Sequence, residues 1–139
     1  MKKTDELLKI INKSRDIDGF LKEHKQEFIK VNTAEYLNTI IEEKNLVKRD
    51  VIQVSGIDRV YAYQILNGTR TPSRDKLIQF SFGLGLDVAE TQKLLKYNGH
   101  APLYTHNRRD RIILFAIKEE VSVIELNILL DDKGESLLD

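Results

Sequence analysis

The sequence predicts an all-α protein, on three observations. Apolar residues recur at three- and four-residue spacing along nearly the whole chain. Polar residues able to cap a helix start sit just ahead of those stretches, and several have a glutamate three positions later. No run of alternating β-branched residues is long enough for a strand, and the two prolines, Pro72 and Pro102, both fall between helical stretches.

Taken in order, Leu7, Leu8, Ile10 and Ile11 form an apolar stripe behind Thr4, Asp5 and Glu6, a short first helix. A second is expected over about 17–29, with Phe20, Leu21, His24 and Phe28 on one side. Asn32 and Glu35 make a capping box that opens a helix through Tyr36, Leu37, Ile40 and Ile41 to about Lys44. Further helices fit at about 48–55, 59–67, 73–83, 88–98, 108–120 and 123–132. Two more boxes, Asp87 with Glu90 and Ser122 with Glu125, mark starts, while Gly99 and Gly134 stand where a helix end favours a left-handed residue. The expected organisation is a helical extension over 1–31, a central domain over 32–98, and C-terminal helices over 99–139 that pack on it or mediate dimerisation.

At 139 residues the chain is long enough to bury a core, and 32% charged with 41% hydrophobic residues is ordinary for a globular protein. The absence of cysteine excludes disulfides and thiolate metal sites. The polar N-terminus and the lack of any long apolar run point to a cytoplasmic protein with no membrane partner. Net charge is zero, but its distribution is uneven. Between Lys48 and Lys76, six basic residues (Lys48, Arg49, Arg59, Arg70, Arg74, Lys76) face Asp50, Asp58 and Asp75, whereas acids outnumber bases after Thr105. Attraction to a polyanion follows local potential, so this middle segment is where one would bind.

The middle segment also carries the most specific pattern, Val47 to Ser73, VKRDVIQVSGIDRVYAYQILNGTRTPS. Val51, Ile52 and Val54 give a short helix its buried side, Gly56 supplies a tight turn, and Ile57 plugs the space between two helices. Asp58 caps the second helix, whose buried positions are Ala62, Ile65 and Leu66. Arg59, Val60, Tyr61, Tyr63 and Gln64 are left facing outwards, on a helix able to enter a DNA major groove. Arg59 suits guanine O6 and N7, Gln64 suits adenine, and Val60 or Tyr61 suits a thymine methyl. Tyr63 suits a phosphate or sugar, and the donors Thr69, Arg70 and Thr71, with Lys48, Arg49 and Gln53, suit phosphates on either side of the groove.

The segment from Tyr36 to about Leu95 resembles the lambda-repressor-like, or Cro/Xre, helix-turn-helix family. The resemblance rests on Gly56-Ile57-Asp58, Ile65, the run Asn67-Gly68-Thr69-Arg70-Thr71-Pro72-Ser73, and a following helix with Leu77 and Phe80. It covers a little under half of the chain. It implies a five-helix domain in which Arg59 to Gln64 read bases while Lys48, Arg49, Gln53, Thr69 and Arg70 hold phosphates. The chain departs from the family in carrying Ile52 where alanine is usual, and in having two tyrosines on the second helix.

Little else suggests chemistry. His24, His100 and His106 lack the helical spacing of a metal pair, and there is no GxSxG or phosphate-binding loop; Gly83-Leu84-Gly85 is expected to end a helix. No metal, no cofactor and no enzymatic activity are expected. One oddity is a helix start at Asn107 followed by Arg108, Arg109 and Arg111, since positive charge there opposes the helix dipole. Either nearby acids such as Asp110 compensate and the arginine stems cover apolar surface, or the three arginines form an anion site. The expected function is a sequence-specific regulator, a repressor binding double-stranded DNA as a homodimer at a palindromic operator. The competing expectation is a helical module that docks a protein partner and binds DNA weakly or not at all.

Overall fold

The computed structural model describes residues 32–139, and seven helices are found among them, with no strand. They are α1 (Thr33–Glu43), α2 (Lys48–Ser55), α3 (Arg59–Leu66), α4 (Arg74–Gly83), α5 (Val88–Tyr97), α6 (Arg108–Lys118) and α7 (Val123–Asp132). The helices expected at 4–11 and 17–29, the extension they compose, and His24 lie outside the described residues.

Polar caps start six of the seven helices. The side chains of Asn32, Asp58, Ser73, Asp87, Asn107 and Ser122 each accept the amide three residues on. Only Asp87 and Glu90 complete the reciprocal box; Asn32 and Ser122 accept from Glu35 and Glu125 in the one direction. α2 follows Val47 without a side-chain cap and is closed by Gly56, whose left-handed φ of 72° makes the tight turn expected there.

Packing pairs alternate helices in the first half and neighbouring helices in the second. α1 lies against α3, α2 against α4, α4 against α5, and α6 against α7. Leu37, Val51, Ile65, Leu77, Ile78, Phe80, Leu94, Leu95, Ile113, Leu126 and Leu130 are buried in one core. Residues 99–139 add to that core rather than standing apart, because Asn32–Asp139 form one compact unit with no break at 98. Polar ties hold the frame: Asn38 Nδ2 donates to the Leu66 carbonyl (2.9 Å), and Gln79 Nε2 donates to the Ser55 carbonyl (3.2 Å).

Two details differ from expectation. Val54 is 55% exposed, and Ser55 takes the inward position instead. At 3.6 residues per turn, Val51, Ile52 and Ser55 share a face that Val54 cannot join. Gly83 does more than end α4: a Cβ built there would fall well inside contact distance of the Val51 carbonyl oxygen and 3.2 Å from Ser55 Cβ. The bare glycine is what lets α4 cross α2 so closely.

Among the described residues, no helix is long and apolar enough to cross a membrane.

Candidate functional site

α2 and α3 are both short, and the Gly56-Ile57-Asp58 turn between them is braced from several sides. The Ser55 hydroxyl accepts the Ile57 amide at 3.2 Å, and the Ile57 side chain is buried. α7 backs the turn, since a Cβ at Gly56 would lie 3.4 Å from Val123 Cγ1. Asp58 Oδ2 then accepts the Tyr61 amide at 3.1 Å and starts α3. Ala62, Ile65 and Leu66 bury one face of α3, so the direction of the opposite face is fixed by the core.

On that opposite face, Val60 is 66% exposed and Gln64 lies one turn further along. Arg59 and Tyr63 form one flank, with the guanidinium carbon 5.9 Å from the ring centre. Arg59 and Tyr63 also join Arg49 and Gln53 of α2 around a recess of about 270 Å³, floored by Ile52 and Ile57. The helical spacing thus brings four of the expected residues together from two helices.

The other flank holds a cluster the sequence did not announce. The Arg70 guanidinium lies over the Tyr61 ring at 4.8 Å, and Lys76 Nζ approaches the same ring at 5.3 Å. Arg70 Nε donates to Gln64 Oε1 at 2.6 Å. Arg70 was expected among the phosphate holders, and its side chain folds back onto the crest of α3 instead. Lys76 was counted in the basic segment but given no contact of its own; it is a basic residue in the first turn after the Ser73 cap. Lys48, at the start of α2, and Thr69 and Thr71, in the loop after α3, are exposed.

Arg108, Arg109 and Arg111 do not converge. Arg109 points at Asp75, donating to both carboxylate oxygens at 3.1 and 2.9 Å, and to the Ser136 and Leu137 carbonyls at 2.9 Å each. Arg108 comes within 3.9 Å of Glu135, and Arg111 is exposed beside Phe115. Asp110 compensates none of them. It is 6% exposed, accepts both terminal nitrogens of Arg74, and takes the Tyr104 amide at 2.9 Å. Arg109 is therefore consumed by the C-terminal framework, with partners from distant sequence, whereas Arg108 and Arg111 stay at the surface.

The apolar residues of the C-terminal pair divide. Ile113, Leu126 and Leu130 enter the core, whereas Phe115 (52% exposed), Ile124 (74%) and Ile128 (64%) face outwards. Ile112, Phe115 and Leu129 line a depression whose charged rim is Arg108, Arg111 and Lys133. Among the described residues, no group of three or more His, Cys, Asp or Glu side chains could hold a metal ion.

No family model matches the chain, and no curated protein or solved structure matches it.

Proposed function

We propose that this protein is a sequence-specific DNA-binding transcriptional regulator, a repressor whose α2–turn–α3 unit is a helix-turn-helix of the lambda-repressor-like kind. The observation that carries this reading is the outer face of α3. Its inner face is locked in the core by Ala62, Ile65 and Leu66, and its outer face carries Arg59, Val60, Tyr61 and Gln64, with cations on both flanks. A recognition helix has this division: base-edge donors and apolar groups at the crest, phosphate donors around them. Lys48, Arg49, Gln53, Tyr63, Thr69 and Thr71 are the phosphate set. No catalytic role is assigned to any residue.

Titration of labelled duplexes at several salt concentrations tests this. Replacing Lys48 and Arg49 together by alanine should weaken binding to all duplexes alike and lower the slope of log K against log salt by about 2. Arg59→Ala should instead cost roughly 1–3 kcal/mol of discrimination at one base position. If no duplex binds at low salt, this reading falls. The exposed Val60 and the half-buried Tyr61 would then belong to a protein-docking face.

A homodimer fits the same function, because one short helix reads few base pairs and two copies read a palindrome. The depression on α6 and α7 supports that partner. Phe115, Ile112 and Leu129 give it an apolar floor, and a two-fold axis there would bury that floor against its own copy. Phe115→Glu is expected to turn the dimer into monomer in sedimentation at micromolar concentration. A wild-type protein that is monomeric both free and on DNA would sink the dimer.

A further inference from the structure

We propose that Arg70 sets the base preference of this surface by locking Gln64 as a hydrogen-bond donor, so that the pair recognises guanine. This rests on the DNA reading above and adds to it a specificity-determining residue.

The lock is built by the backbone. After α3 the chain reverses at Asn67-Gly68, and the Gln64 carbonyl accepts both the Thr69 amide (2.9 Å) and the Arg70 amide (3.1 Å). That brings the Arg70 side chain back over the helix it has just left. The Tyr61 ring supports the guanidinium from beneath at 4.8 Å, and the Nε–H donates to Gln64 Oε1 at 2.6 Å. A guanidinium has donors only, so the amide atom facing it must be the oxygen, and Nε2 is the atom turned away. The orientation of the Gln64 amide is thereby settled before any ligand arrives.

Two consequences follow from that chemistry. Adenine recognition by glutamine needs Oε1 to accept from N6 while Nε2 donates to N7. Here the oxygen already holds a charge-assisted bond, which the neutral N6 donor would have to share or displace. Guanine asks for nothing of the kind. Its O6 and N7 both accept, and the surface offers Nε2 of Gln64, which has no partner among the described residues, together with the terminal N–H groups of Arg70. With Oε1 already engaged by Arg70, donors predominate on the pair, and guanine is the purine whose major-groove edge offers acceptors only.

Selection of bound sequences from a random duplex pool tests the lock with the full chain, Gln64→Ala and Arg70→Ala. Gln64→Ala identifies the position concerned, as the one where preference flattens. At that position the wild-type protein should select guanine over adenine by roughly tenfold, the worth of one good base contact. Arg70→Ala frees Oε1 and should move the preference to adenine. Adenine in the wild-type selection, or guanine retained in Arg70→Ala, overturns the lock and leaves the DNA reading intact. Loss of guanine with no gain of adenine also overturns it, because readout then belongs to Arg70 alone. If the wild-type protein enriches no sequence at all, the DNA reading fails and the lock falls with it.

Discussion

Gly83→Ala is expected to destabilise the protein by about 3 kcal/mol, with a sign opposite to helix propensity. In an ordinary helix interior the change from glycine to alanine stabilises by up to about 1 kcal/mol. Here the added methyl would be driven into the Val51 carbonyl oxygen, with Ser55 Cβ 3.2 Å away. The obstacle is backbone and cannot rotate aside, so α2 must move off α4 as a unit. Val51 and Ile52 are core residues, and Gln79 donates to the Ser55 carbonyl across the same crossing. A shift of α2 therefore opens the core and breaks a buried hydrogen bond together. Urea denaturation with a two-state fit measures the loss. A variant as stable as wild type would mean that the helices do not approach at Gly83.

That crossing shows where the sequence stops being legible. The helices were readable because their caps act locally: Asn32, Asp58, Ser73, Asp87, Asn107 and Ser122 each bind an amide only three residues away. The Gly56 turn was readable for the same reason, as a left-handed residue between two apolar-faced helices. Gly83 looked like one more helix end, since the partner that requires a bare Cα is Val51, far back in the chain. Val54 was misplaced because an apolar residue in a short helix looks inward until the register of its neighbours is known. Within the candidate site, the buried face of α3 (Ala62, Ile65 and Leu66) was legible, and the paths of the side chains over its outer face were not. Nothing local says that Arg70 turns back over Tyr61 rather than outward, because that depends on the path of the chain after Gly68. Likewise the charge of Arg109 at the start of α6 was visible as a local conflict, and its resolution by Asp75 was hidden in a separation of 34 residues.

Asp110→Ala is expected to cost about 3 kcal/mol, because removing one member of a largely buried ion pair leaves the other without a partner. Arg74 would keep its bonds to the Ala101 and Pro102 carbonyls but lose both carboxylate contacts, at 3.1 and 2.9 Å. The Tyr104 amide would lose its acceptor as well. Asp75→Ala should cost less, roughly 1–2 kcal/mol, since the Arg109–Asp75 pair keeps more contact with water on the carboxylate side (23% against 9%). The two bridges run between adjacent residues in each segment, Arg74-Asp75 on α4 and Arg109-Asp110 on α6. A double-mutant cycle should therefore report coupling between them. Replacing Arg74 and Asp110 together by apolar residues of similar size should recover much of the loss, because no charge is then left unpaired. The consequence for the candidate site is positional. These bridges fix the first turn of α4, and that turn also carries Lys76, whose ammonium sits on the Tyr61 ring. Asp110→Ala should thus loosen one flank of the α3 face from a distance, while the apolar pair replacement, by restoring the packing of that turn, should restore it. A variant Asp110→Ala within 1 kcal/mol of wild type in urea denaturation would show that the carboxylate is not what holds α4 and α6 together.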